Sequence, residues 1–392
     1  YQTNYLGIGR ANNVISNAPK VELSSEDSDK IIGQAKFLRA IFYFDLVRFF
    51  GGVPLYLKPV SNIDDAYLPR SSVQEVYDAI VTDLIDAVNK LPLPVFPQKG
   101  KATKASAKML LSDVYMTLKN YQAAENELRD ILSMGFELLP EYSSVFNLSN
   151  KNSKESIFEI QYKEGNQGQQ GNWYSFLPCS QDLSKITGIT SSNKAGAGDW
   201  NIPTQEMIDS YEPNDKRLDA SIGIAEGTGN YGNMTIEKVI SVVDYVRPEG
   251  KLATPYIKKY VQPHSLQGNT DNNFPVYRYA EVLLTLAEAL NEQNKSSEAL
   301  SYLNQVRNRA GLADINETNQ DLLRVIIAHE RRIELAFENK RWFDLLRTGK
   351  AIEVMKLHGE YIKEIYRDEG YLPSNSYDIT EQRLLYPIPF RE

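Results

Sequence analysis

Two short stretches hold the residue types that carbohydrate recognition needs. A pyranose ring has a flat, C–H-rich face that stacks on aromatic rings, and its adjacent hydroxyls pair with amides or carboxylates. Residues 169–176 (QQGNWYSF) set Trp173 and Tyr174 beside Gln170 and Asn172, and residues 198–201 (GDWN) set Trp200 beside Asn201. Tyr231, within residues 229–233 (GNYGN), has a similar setting. Glycine on either side would let the backbone present a ring outward. The competing reading is that Trp173 and Trp200 anchor loops on a scaffold, a common use of tryptophan. The third tryptophan, Trp342, lies in a helical pattern and is expected in the core.

Catalysis finds little footing. A glycosidase places two carboxylates on opposite sides of the scissile bond; Asp182 and Asp199 flank the aromatic stretches, but any acidic chain offers such a pair. Cys179 is the single cysteine, so no intrachain disulfide, zinc cluster or redox pair can form, and no motif ties His264, His329 or His358 to it. Glu26-Asp27-Ser28-Asp29 lacks the spaced oxygen ligands and glycine of a calcium loop and reads as a solvated helix start. Gly196-Ala197-Gly198 lacks the flanking strand and helix of a dinucleotide loop. No catalytic residue, metal or cofactor is expected.

Composition agrees with a globular protein. The 392 residues are 42% hydrophobic and 24% charged, with 43 basic and 51 acidic side chains and a net charge of −8. That balance argues against a nucleic-acid partner, which calls for a basic face. The longest apolar runs, such as Ile41 to Phe50, carry charges and cannot span a bilayer.

The elements that must position these loops are helices in pairs. Gln34 to Phe50 places Ala35, Leu38, Phe42 and Leu46 on one face, and Ser72 to Lys90 places Val76, Ile80, Leu84 and Val88 at intervals of four. Thr103–Leu118 and Tyr121–Met134 form a hairpin around Lys119-Asn120. Shifting that hairpin by 175 positions lays Leu111 on Leu286, Ala124 on Ala299, Leu128 on Leu303 and Ile131 on Val306, the small-then-large spacing of tetratricopeptide-type repeats. In the centre, residues 157–162 alternate as a strand with Phe158, Ile160 and Tyr162 on one side, and 256–261 alternate similarly. Residues 165–198 and 223–232, rich in Gly, Asn, Gln and Ser, read as long loops.

His329–Arg347 (HERRIELAFENKRWFDLLR) reads as two amphipathic helices around Asn339-Lys340, with Arg331 and Glu334 spaced to pair and Arg341, Asp344 and Arg347 repeating that spacing. As a string it resembles the C-terminal hallmark of the SusD/RagB family. Tyr5–Asn12 (YLGIGRAN), Ala35–Ala40 (AKFLRA), Gly52–Leu55 (GVPL), Ser72–Tyr77, Ile202–Tyr211, Arg278–Leu284 and Tyr386–Pro389 are similar to further family blocks, in the family's order.

The resemblance implies a mostly α, tetratricopeptide-like helical-repeat scaffold with long loop-rich insertions and a few short strands. It divides the chain into an N-terminal helical part (1–150), a loop-rich insertion bearing the ligand face (151–270) and a C-terminal helical part (271–392). It implies a cell-surface nutrient-binding lipoprotein that captures an oligosaccharide without chemistry and delivers it to a TonB-dependent, SusC-like transporter. Trp173, Tyr174, Trp200, Asn172, Asn201, Gln170 and Tyr231 are then the candidate ligand residues. Membrane association is expected only through an N-terminal lipid anchor absent from this chain. The alternative is a helical-repeat module that binds a peptide or protein.

Overall fold

Helices start where the sequence supplies caps. Ser72 and Glu75 form a reciprocal capping box ahead of Val73, Thr103 and Ser106 do the same ahead of Lys104, and Ser24 accepts from the Asp27 N–H. These contacts come from a computed structural model, which describes all residues except 166, 167, 169, 170, 181, 190–197, 199, 231, 368–372 and 390–392. In chain order its helices and strands are α1 (Gln2–Asn17), α2 (Ser25–Phe50), α3 (Val73–Lys90), α4 (Lys104–Thr117), α5 (Tyr121–Leu132), β1 (Ser156–Ile160), α6 (Ser184–Thr187), α7 (Gln205–Asp209), α8 (Lys216–Ser221), β2 (Ile222–Asn230), β3 (Asn233–Ser241), β4 (Leu252–Ile257), β5 (Phe274–Arg278), α9 (Tyr279–Glu292), α10 (Ser296–Ala310), α11 (Gln320–Glu334), α12 (Arg341–Arg347) and α13 (Ala351–Ile365). The fold is mostly α with a few strands, as the sequence led us to expect.

The chain separates into two compact units: Tyr1–Pro94, Lys101–Met134 and Asn339–Glu392 form one, and Val95–Gly100 with Gly135–Glu338 the other. In the first unit α1 packs on α2, α2 on α3, α3 on α4 and α4 on α5. Helix α2 begins nine residues before the periodic stretch read from sequence, with Glu26 and Asp27 in its first turn, where their charges suit the helix dipole. Its buried face is Ala35, Phe37, Ala40, Phe44 and Val47 together with Leu46; Leu38 is 40% exposed. The expected Ala35–Leu38–Phe42–Leu46 stripe is therefore rotated. Trp342 is half-buried rather than core, and its indole N–H finds no partner among the described residues.

The two hairpins share the same turn, the same closing bond and the same buried positions. Lys119 and Asn294, 175 positions apart, both take a left-handed backbone, at φ 58° and 62°. Asn120 N–H donates to Tyr115 O at 2.8 Å and Lys295 N–H to Leu290 O at 2.9 Å, so the same bond closes both helix ends. Leu111, Ala124, Leu128 and Ile131 are fully buried, and so are Leu286, Ala299, Leu303 and Val306.

In the second unit α9 packs on α10 and α11, and two small antiparallel sheets stand beside them in sequence, β1–β5 and β3–β2–β4. Strand β1 buries Ile157 and Glu159, while Ile160 is exposed. One expectation fails here. Residues 223–230, read as a loop, are strand: β2 runs through them and pairs with β3 and β4. The glycines that suggested a loop serve close approach in the sheet; a Cβ on Gly227 would lie 1.8 Å from Thr235 O, beside a bulge at Glu226/Gly227.

Candidate functional site

The ligand face read from sequence begins at a 3₁₀ turn, Asn172–Phe176. Its two large rings turn inward. Trp173 is 3% and Tyr174 8% exposed, and both belong to a core with Leu177, Leu183, Met234, Ile236, Tyr256 and Tyr260. Trp173 Nε1 donates to Thr270 Oγ1 at 3.2 Å. His264 sits edge-on to both rings, at 5.5 and 5.7 Å. Its Nδ1 donates to Gln262 O at 2.7 Å, which leaves Nε2 to accept the Tyr174 hydroxyl at 2.5 Å. Burial pushes the Tyr174 phenol up from its ordinary value. The expectation that Trp173 and Tyr174 present their faces outward is thus corrected: a large apolar ring next to a sheet lowers its free energy by joining the core.

Trp200 behaves differently. It is 79% exposed, although its backbone is held in place. Its N–H donates to Ser175 O at 3.3 Å, which ties it to the turn carrying Asn172. Two residues earlier, Gly198 lies against the backbone of Leu177, where a Cβ would fall 1.8 Å from the carbonyl oxygen. Only glycine permits that approach. Asn172 and Asn201 are exposed. The arrangement offers one aromatic face with amides on both attached segments, which suits stacking on a sugar and pairing with its hydroxyls. Gln170, Tyr231 and Asp199 lie outside the described residues. Asp182 spends a carboxylate oxygen on the Ser184 N–H at 2.8 Å, at the start of α6.

Beneath these loops the unit holds a buried ionic lattice that sequence reasoning missed. Glu330, Glu334 and Glu338 recur every four residues, and each meets buried cations. Arg217 bridges Asp215 (2.8 Å), Glu330 and Glu334 (3.2 Å). Arg278 reaches Glu155 at 3.0 Å, Glu334 at 2.7 Å and Glu338 at 2.7 Å, while Arg309 joins Glu155 to Glu334. Burial alone would raise the Glu334 carboxyl; the guanidiniums of Arg309, Arg278 and Arg217 overturn that and hold it at about 2. Burial pushes the Lys259 ammonium down to about 8 despite Glu338 at 2.8 Å. The four-residue spacing of the three glutamates was the available signal. Arg331 does not pair with Glu334 as expected, but bonds Thr285 Oγ1 at 2.8 Å and lies near Glu281 and Glu288 on α9. Arg347 and Asp344 do pair, at 2.6 Å.

The lattice and the ring cluster are continuous. Lys259 donates to Ala336 O at 2.7 Å, and the next residue, Tyr260, donates to Phe337 O at 2.9 Å while packing with Trp173 and Tyr174. Among the described residues no group of His, Cys, Asp and Glu could hold a metal ion, and no helix is long and apolar enough to cross a membrane.

A family model described as the SusD family matches residues 154–392, and one described as starch-binding, associating with outer membrane, matches residues 1–116. The chain belongs to the SusD family. It is 32% identical to the SusD-like protein P2 of Formosa agariphila across 98% of this chain and 76% of that protein. Among solved structures, a SusD-like protein of Bacteroides fragilis matches at TM-score 0.71 and 26% identity, covering 90% of this chain and 75% of its own. A laminarin-binding SusD-like protein matches at TM-score 0.71 and 26% identity, covering 97% and 81%. The family is one of binding proteins, not enzymes.

Proposed function

We propose that this chain captures an oligosaccharide at the outer-membrane surface and delivers it, chemically unchanged, to a TonB-dependent transporter. The observation that carries the reading is Trp200: a 79% exposed indole fixed to the Asn172 turn through its own backbone and flanked by Asn201. An exposed indole face between two amides is the arrangement that stacks on a pyranose ring and pairs with its hydroxyls. The absence of any motif-supported catalytic set in the sequence agrees with capture rather than turnover.

The binding relative of laminarin makes laminarin the first glycan to test. The platform in this reading is Trp200 with Asn172 and Asn201, and Trp173 and Tyr174 hold it up from below. Calorimetric titration with laminarin oligosaccharides, other neutral glycans and a peptide control tests the ligand class. Binding of peptide but no glycan would replace the reading with a helical-repeat peptide binder. Co-purification of the lipidated protein from native outer membranes tests delivery; the expected companion is a TonB-dependent barrel.

A further inference from the structure

We infer that a small cavity under the β1–β5 sheet binds ordered water, about two molecules, as part of the native fold. The cavity has a volume of about 30 Å³, and Lys151, Glu155, Ser156, Glu159, Asn272 and Arg278 are in its wall. One water needs on the order of 10–15 Å³ of such space, and it also needs polar partners. Both requirements are met. Ser156 Oγ and Asn272 Oδ1 are buried and have no partner among the described residues. The other end of the Asn272 amide is committed, donating through Nδ2 to Tyr260 O at 3.1 Å, so the free oxygen is fixed in position.

The β1–β5 pairing is irregular at this point, with register shifts between Ser156 and Phe158 and between Phe158 and Glu159. The charges of the wall also select the occupant. Glu155 and Glu159 are matched by Lys151 and Arg278, so the cavity has no net charge to attract an ion. A neutral molecule able to donate to two orphan oxygens fits, and water is the one always present. Such waters would couple the Arg278–Glu155 pair, at 3.0 Å, to the loop that carries Asn272.

The test has two arms. A high-resolution crystal structure is expected to show solvent density within hydrogen-bond distance of both Ser156 Oγ and Asn272 Oδ1, and xenon pressurisation is expected to leave the site unchanged. Xenon density there would mean a dry cavity and overturn the inference, as would density of a metal ion. The second arm reads a sign. With water bound, Ser156→Ala loses a hydrogen bond, and the folding equilibrium constant falls by about three- to tenfold. In a dry cavity the same change removes an orphaned hydroxyl, and the constant rises.

Discussion

Arg278 grips Glu334 twice: its Nη1 meets the carboxylate at 2.7 Å and its Nη2 donates to the backbone carbonyl of the same residue at 2.6 Å. A single guanidinium thereby fixes both the side chain and the chain path at the end of α11. The side chains of Arg278 and Glu334 are almost wholly inaccessible, so the pair has no water to fall back on.

Glu334→Ala should leave Arg217, Arg278 and Arg309 facing each other without their shared anion. Removing one partner of a buried ionic set typically costs about 3–5 kcal/mol. Urea unfolding monitored by circular dichroism checks this; a change under about 1 kcal/mol would mean the cations re-pair elsewhere.

Acid should find the same residue. The Glu334 carboxyl is held at about 2 against an ordinary 4.5, so the native state binds fewer protons than the unfolded chain between those values. Its contribution is fully present above pH 4.5 and is lost as pH falls towards 2. Chemical denaturation across that window should show stability declining with acid, and Glu334→Gln should flatten the slope.

Trp173→Ala should act on stability first. The ring is 3% exposed in a packed cluster, and truncating such a residue costs about 3–5 kcal/mol. Thermal melts check it. An unchanged melting temperature would show that Trp173 is not the anchor its burial implies.

Much of the scaffold was legible because helix periodicity and capping are local. The 175-residue offset located both hairpins, and the left-handed residues at Lys119 and Asn294 fall at the matching turn. The strand β2 was not legible, since its glycines answer to neighbours on the paired strands, Gly227 to Thr235 and Gly223 to Tyr256 among them. The same holds for the tryptophans. Trp173 and Trp200 have similar neighbours in sequence, and what separates them is the packed cluster on the β3–β2–β4 sheet, which takes in Trp173 and leaves Trp200 exposed. Arg331 was assigned to Glu334 by spacing, but a helix from elsewhere supplied Thr285 and closer competition.

Gly198→Ala should weaken ligand binding without touching the ligand. The new Cβ would lie 1.8 Å from Leu177 O, so the backbone leading to Trp200 must move. Affinity is expected to fall by about tenfold or more, equivalent to about 1.4 kcal/mol. Titration of the variant, with a melt to confirm folding, measures it; wild-type affinity would show that the loop path does not position the site.

The most direct test is calorimetric titration of Trp200→Ala with laminarin oligosaccharides, or with whichever glycan binds the wild-type chain in the panel. Loss of an exposed aromatic anchor should cost about 1–3 kcal/mol, roughly tenfold to a hundredfold in affinity. The melting temperature should hold, because the ring is 79% exposed and supports no core. Wild-type affinity in a folded Trp200→Ala protein would contradict the account and place the ligand away from this loop.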